Sequence, residues 1–412
     1  MPSHNYPAAS LPLKSSAPLD MLSGIRVLDL TTSIAGPYAT QLLADLGATV
    51  VKVERPGSGD DCRAWGPPFL DGESLWYLSV NRNKHSVTLD FATERGQALL
   101  GRLVANSDVV ISNLVPRAQT KLKLDYANLR QLRDGLIHVS ITGFGLDGAR
   151  ADMACYDLIA EGYSGVMDLT GEPDSPPQKI GTPAADMLAG HDAAMAVTAA
   201  LFRRARDGRG CQIDISMVES MTRFLAPRIL PYLGSGEVPR RSGGRDSVIA
   251  IYQVFDTADL PMTLGLGNDA IWERFWTAVG EPQRAADPAH RSNAERRAHR
   301  VAIVAEIARV LQTRPRAHWL DVFAKARVPA GPINRVDEVA QDVELHSRGF
   351  LYAFERNGCR VPQVGLGIHF DGRTEGCAKP PPRLGEDNAT IYGDWLGLSQ
   401  DEIVRLRDYK II

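Results

Sequence analysis

From Gly24 the chain reads GIRVLDLTTSIAGPYATQLLADLGATVVKVERPGSGD: a short apolar run at Arg26–Leu30, a turn, an amphipathic run over 37–46, and a second apolar run at Thr49–Glu54. Runs of five or six apolar residues bounded by turn residues predict strands, and an intervening helix predicts that the two strands lie parallel. The alternation repeats as strand 86–91, helix 94–107, strand 108–114, helix 126–133 and strand 136–145. Such a pattern predicts an α/β fold with a doubly wound parallel sheet. Ligands of these sheets sit beyond the carboxyl ends of the strands, so the loops at 31–36, 55–60, 113–117 and 143–148 are expected to share one crevice. Gly36, Gly57, Gly59, Gly143 and Gly145 fall in these loops, where close approach or turn geometry asks for glycine. Glu54 ends the second strand, where a dinucleotide-binding fold places the acid that holds a ribose. The first turn, TTSIAGP, lacks G-x-G-x-x-G, which argues against a nicotinamide cofactor.

At 412 residues the chain exceeds what one core holds, so two domains are expected. Residues 1–20, rich in Pro, Ser and Ala, read as a disordered leader. A large α/β domain is expected over 21–225, a linker over 226–247, and a smaller α+β domain over 248–340. The remainder, 341–412, reads as a linker returning to the large domain. The small domain carries strand signals at 250–255 and 261–266 and helix signals at 271–279, 297–311 and 317–326. Further strands are expected near Leu351–Arg356 and 365–370, and a helix at 400–407. Charge is balanced at 46 basic against 49 acidic residues, which offers no case for nucleic acid or an anionic membrane. Cys62, Cys155, Cys211, Cys359 and Cys377 show no C-x-x-C spacing, so neither a metal site nor a disulfide framework is expected, and a cytoplasmic location fits. No window approaches 18 consecutive apolar residues, so no membrane-spanning helix is expected.

Asp186 is the lone acid in GTPAADMLAG (181–190), among small residues. A turn-rich stretch (170–179) precedes it, and an apolar run (191–202) that reads as a buried helix follows. Asp186 is therefore expected just before or at a helix start, where free backbone N–H groups favour an anion and lower the pKa. On local evidence alone a plain N-cap or first-turn Asp is the first reading of this position. Trp65, Trp76 and Tyr77 follow the first crevice loops, where they either wall a pocket or pack a core.

Nine phrases in order carry a more specific signal. They are LSGIRVLDLTTSIAGPYATQLLADLGATVVKVERPGSGD, LWYLSVNRNKHSVTLDF, NLVPRAQTKLKLDY, VSITGFG, YDLIAEGYSGVMDLTGEP, GTPAADMLAG, DGRGCQIDISMVES, VPAGPIN and PPRLGED. Together they resemble the family III coenzyme A transferases, the formyl-CoA and carnitine CoA-transferase group. The resemblance implies an enzyme that moves coenzyme A from an acyl-CoA donor to a free carboxylic acid, with coenzyme A as co-substrate and no permanently bound cofactor or metal. It implies that Asp186 is the catalytic carboxylate, passing through an anhydride and an aspartyl-CoA thioester. It places Ile34, Arg55, Leu89, Ala92, Asn113, Leu114, Lys121, Tyr156 and Asp157 in the CoA pocket, Arg55 and Lys121 toward the phosphates and Ala92 through its backbone alone. An interlocked, ring-like homodimer is also implied.

Racemases of the same fold use a His thirty positions before the Asp, and here that position is Tyr156, a poor proton shuttle at neutral pH. An intramolecular CoA transfer would use the same Asp186, and a CoA binder without turnover would have no need of it. Where many relatives carry G-N-x-H-P, this chain reads RSGGRDSVIAIYQVF (241–255). Arg240, Arg241 and Arg245, in and beside this stretch, are candidates to recognise a second carboxylate and so point to a dicarboxylic acid such as succinate, mesaconate, citramalate or itaconate, with succinyl-CoA as the donor considered; a solvated linker would carry the same arginines.

Overall fold

The computed structural model describes residues 7–14, 19–374 and 379–412. The chain divides into two units: 1–166, 179–234 and 342–412 form the first, and 167–178 with 235–341 form the second.

The first unit is built on six parallel strands, β1 Arg26–Leu30, β2 Thr49–Glu54, β3 Lys84–Thr88, β4 Val109–Ser112, β5 Ile137–Thr142 and β6 Cys211–Ser216. Their order across the sheet is β3-β2-β1-β4-β5-β6. The chain thus winds outward from β1 in one direction and, from β4, in the other, which leaves a crevice at the carboxyl ends of β1 and β4. Period-two alternation sorts the strand residues. Leu28, Leu30, Val51, Val53, Val87 and Val110 point to one face, into a core with Leu99, Leu100, Leu103 and Val104 of α2 (Glu94–Ala105). Asp29, Lys52 and Lys84 are also wholly buried, on the face covered by α1 (Ala35–Asp45), whose Thr40 hydroxyl and Pro37 carbonyl they meet.

Helix α4 (Ala184–Asp207) packs along α1. Gly190 makes the crossing tight, since a Cβ there would lie 2.8 Å from the Ala35 carbonyl oxygen and 2.9 Å from the Tyr38 ring. Gly190→Val is therefore expected to lower stability by about 1–3 kcal/mol through overpacking, read as the shift of a urea unfolding midpoint at constant slope.

Several expectations need correction. The helix read over 191–202 begins at Ala184 and runs to Asp207, ending where Gly208 turns with φ 73°. Its apolar period extends upstream through Ala185 and Ala189, whose small side chains gave little pattern to read. The proposed leader is structured in part: Pro7–Ser10 is a 3-10 helix, and Leu13 bridges Ala353, with backbone bonds Lys14 N–H to Ala353 O and Ala353 N–H to Pro12 O. Leu11 and Leu19 are buried, so apolar burial holds this segment; residues 1–6 and 15–18 lie outside the described residues. Ala226–Ser235, read as linker, is a helix. The strand expected at 365–370 is instead Cys359–Val364, paired antiparallel with Leu351–Arg356. Asn357 and Gly358 make the turn, both with positive φ (53° and 75°), as a two-residue hairpin loop of the Asn-Gly kind requires.

The second unit has three antiparallel strands, β7 Tyr252–Phe255, β8 Met262–Gly265 and β9 Ala330–Pro332, ordered β9-β8-β7. Helices Asp269–Ala278, Arg300–Leu311 and Arg316–Ala326 cover one sheet face over a core of Trp272, Phe275, Trp276, Ile307 and Phe323. Among the described residues no helix is long and apolar enough to cross a membrane.

Candidate active site

The crevice of the first unit rests on a buried charge network. Lys52 Nζ lies 2.7 Å from an Asp60 carboxylate oxygen, with neither side chain exposed, and donates to the Thr31 carbonyl at 2.7 Å. Asp60 in turn accepts the Ser33 N–H at 2.9 Å, and Asp29 accepts the Thr31 N–H and hydroxyl. Lys84 Nζ is 3.1 Å from Asp29. Burial disfavours each of these charges, but mutual attraction overrides it for Lys52, whose pKa is raised, and for Asp29 and Asp60, whose pKa values are lowered. Lys84 differs: burial dominates and pulls it down to about 8. The loop after β1 is thus pinned from beneath by charges that the strands themselves carry.

Glu54 does not serve as a ribose acid. Arg63 Nε and Nη2 grip its two oxygens at 2.7 and 2.8 Å, and Ser86 and the Asp60 N–H add further bonds. Its lone pairs are spent inside the protein.

Of the residues assigned to a CoA pocket, Ile34, Asn113 and Leu114 come together at the carboxyl ends of β1 and β4. Asn113 spans the gap: its carboxamide accepts the Thr32 N–H at 3.1 Å and donates to the Thr32 carbonyl at 2.8 Å. Ile34 is buried at the head of α1, and Leu114 packs against the core. Leu89 is fully buried in that core, so its side chain is structural and only its backbone could face a ligand. Ala92, after β3, is exposed, and its N–H is already held by Asp90. Arg55 is exposed, with its nearest carboxylate, Asp61, at 3.9 Å. Lys121 is exposed at the end of the short helix Pro116–Lys121. Tyr77 belongs to a core with Leu78, Tyr352 and Phe354, Trp65 packs against it, and Trp76 stays partly exposed.

Asp186 is the third residue of α4, one turn before the Gly190 crossing with α1. The expected N-terminal stabilisation goes to another acid. Pro183, at the N-cap, offers no side-chain cap, and Asp157 takes that part: its Oδ1 accepts the N–H groups of Ala185 at 2.8 Å and of Asp186 itself at 3.3 Å. Asp157 opens helix α3 (Asp157–Ser164), preceded by Tyr156, which is 67% exposed. The half-buried Asp186 carboxyl is left with a like charge beside it and no ion pair among the described residues. Its pKa is raised to about 7, by burial first and by Asp157 second, where the sequence reading had it lowered. The neighbouring Cys155 thiol is pushed up to about 11 by burial and by Asp186, and so stays protonated at neutral pH. Gly143 admits the segment at Cys155: a Cβ there would sit 2.1 Å from the Cys155 Cβ.

Sequence reasoning missed Glu161. It lies one turn after Asp157 on α3, is wholly buried, and accepts the Ile180 N–H at 3.0 Å. Burial raises its pKa, with Asp157 adding to the effect. The four-residue spacing of the two acids in DLIAEG was the available signal. Among the described residues no group of His, Cys, Asp or Glu has the arrangement of a metal site.

Comparison with known proteins gives a consistent result. A family model described as CoA-transferase family III matches residues 22–388. The succinate–glutarate CoA-transferase of Agrobacterium fabrum is 40% identical over 384 residues, covering 90% of this chain and 95% of that protein. The succinyl-CoA–D-citramalate CoA-transferase of Chloroflexus aurantiacus is 33% identical, covering 97% and 100%. Among solved structures, a CAIB/BAIF family protein from Brucella suis superposes with a TM-score of 0.80 at 38% identity, over 92% of this chain and all of that one.

Proposed function

The chain belongs to CoA-transferase family III and is a CoA-transferase; on that footing we propose that it carries coenzyme A from succinyl-CoA to a small dicarboxylic acid through a covalent intermediate on Asp186. The observation that carries the reading is the Asp186 carboxyl: half-buried, flanked by Ala184, Ala185 and Ala189, unpaired with any cation among the described residues, and held near neutrality in pKa. A carboxylate of raised basicity is a better nucleophile than an ordinary one, and half of it is ionised at pH 7. Small neighbours leave room for groups approaching its carbonyl.

The chemistry runs as four acyl transfers. The Asp186 carboxylate attacks the succinyl thioester carbonyl, expelling CoA thiolate and forming a mixed anhydride. The thiolate attacks the aspartyl carbonyl, releasing succinate and leaving an aspartyl-CoA thioester. The acceptor carboxylate attacks that thioester, giving a second anhydride and thiolate. The thiolate then attacks the acceptor's carbonyl, releasing the new acyl-CoA and the Asp186 carboxylate. Asp157 holds the first turn of α4, and with it the Asp186 backbone, through these steps. Arg55 and Lys121, both exposed cations of the first unit, are proposed to meet the nucleotide phosphates; Ile34, Asn113, Leu114 and Tyr156 would line the same crevice, Leu89 and Ala92 through their backbones. Two of the relatives named above act on succinate or succinyl-CoA together with a second dicarboxylate, which supports the substrate class. Proton-transfer chemistry of the racemase kind is disfavoured by the exposed phenol at Tyr156.

Mixing the protein with succinyl-CoA and quenching with hydroxylamine should yield a hydroxamate at Asp186 on peptide mass analysis. An unmodified Asp186 across several acyl-CoA donors would sink the covalent pathway. The raised pKa also gives a pH signature: kcat/KM should climb about tenfold per pH unit below 7 and level off above about 8, because only the anion attacks. A flat profile from pH 5 to 8 would contradict it.

We also propose a homodimer. Met195, Phe202, Phe224, Leu230 and Leu233, on α4 and the helices after it, are each more than half exposed, and a partner copy would cover them. Light scattering that returns the monomer mass would refute this.

A further inference from the structure

Two acids of α3 hold the stretch of chain that leads into α4, one at each end of it. Asp157 Oδ1 accepts the N–H groups of Ala185 and Asp186, and Glu161, one turn further along α3, accepts the Ile180 N–H at 3.0 Å through Oε2. Between these anchors the Thr182 carbonyl accepts the Ala184 N–H at 2.8 Å, a bond internal to the stretch. The place of the first turn of α4, and of Asp186 within it, therefore depends on how firmly the two acids of α3 are themselves held.

Glu161 spends only half of its carboxyl on this task. Its side chain is wholly buried, and Oε1 meets no donor. A buried carboxylate is costly unless donors or a charge compensate it. The cation that acts on it, Lys179, is exposed and gives its Nζ to the Ile180 carbonyl at 3.0 Å. On the helices packed against α3, Asp192 of α4 pairs with Arg223 of Met217–Phe224, and Glu219 is exposed. What lies within hydrogen-bonding reach of Glu161 is the Asp157 carboxyl. Two carboxyls bond only when one of them carries a proton, and without it the four-residue spacing sets two like charges on one helix face. Asp157 already acts as an acceptor, whereas Glu161 has the oxygen without a partner. Burial first, and Asp157 after it, raise the Glu161 pKa, which places the proton on the same residue.

We propose that Glu161 is a positioning residue for Asp186: it holds a proton on Oε1, donates it to the second oxygen of Asp157, and so fixes the acceptor that grips the first turn of α4. The inference rests on the function proposed above and adds the residue that supports its nucleophile from behind. A neutral Glu161 also leaves a single negative charge, that of Asp157, beside the Asp186 carboxyl.

Glutamine is the diagnostic replacement, because its amide oxygen can accept the Ile180 N–H while its NH2 donates to Asp157. Glu161→Gln should retain kcat to within about twofold and leave the apparent pKa of the kcat/KM profile in place. Glu161→Met fills a similar volume but makes neither bond, and should lower kcat by about 30-fold with little change in KM for succinyl-CoA, as a displaced reacting group does. An ionised Glu161 would behave differently: its replacement by Gln would remove a negative charge and lower the apparent pKa by about one unit. That shift, or wild-type kcat in Glu161→Met, overturns the proposal. An infrared difference spectrum between wild type and Glu161→Gln at pH 7 reads the proton without reference to activity, and decides the matter even if Glu161→Met does not fold. Loss of the carbonyl band of a protonated acid is expected, and loss of a carboxylate band instead overturns the assignment. If no adduct forms at Asp186, the proposed reaction falls. The clamp is then judged by that band and by amide hydrogen exchange over 180–187, which should be faster in Glu161→Met than in Glu161→Gln; equal exchange in the two sinks it.

Discussion

Asp186→Asn is expected to lower the rate of CoA transfer by about ten-thousand-fold or more, while the protein stays folded and becomes more stable than wild type above pH 7. The amide keeps the shape of the carboxyl but has no anionic oxygen to attack a thioester, and removal of a covalent nucleophile commonly costs this much or more. The stability effect follows from the raised pKa. An acid that holds its proton more tightly in the folded state lends stability that is fully present below its unfolded pKa, near 3.8, and is lost as pH rises through its folded value near 7. Asparagine does not titrate and loses nothing. The melting temperatures of wild type and variant should therefore converge near pH 4 and separate in favour of the variant by pH 8. Full turnover in the variant would remove Asp186 from the chemistry, and a pH-independent gap in melting temperature would show that its carboxyl is not raised.

Lys52→Met should cost about 3–5 kcal/mol of stability, the range for breaking one side of a buried ion pair. Methionine fills the volume of the lysine stem but abandons the Asp60 carboxylate and the Thr31 carbonyl, both buried and both at 2.7 Å from Nζ. Because Asp60 also holds the Ser33 N–H, the loop at the mouth of the crevice should loosen as well, and KM for the acyl-CoA should rise along with the fall in stability. The double variant Lys52→Met/Asp60→Asn should recover part of the stability, since no uncompensated charge remains. A single variant as stable as wild type in urea would show that the pair does not hold the loop.

Much of the first unit was legible locally. β1 and β2 fall where the apolar runs put them, because a buried parallel strand is read from a few consecutive residues. The hairpin at 351–364 had an equally local signal in Asn357-Gly358, and the expected strand was misplaced because the turn chemistry was not used. The start of α4 was missed for a different reason: GTPAADMLAG is small-residue throughout, and alanine and glycine carry no amphipathic contrast. Asp186 was expected just before or at a helix start and lies in the first turn of α4, but its electrostatics were not legible.

What the sequence determined by itself is the alternation of strand and helix, hence the parallel sheet, its crevice and the acid set near it, because those properties arise from short-range periodicity and from residue types. What only the tertiary structure decided is how charges are spent. Arg63 consumes Glu54, Lys52 meets Asp60, and Asp157, 29 positions upstream, takes the helix-terminal N–H groups that were expected to favour the Asp186 anion. Direction and size of a pKa shift depend on distance and desolvation in space, and neither is a function of separation along the chain.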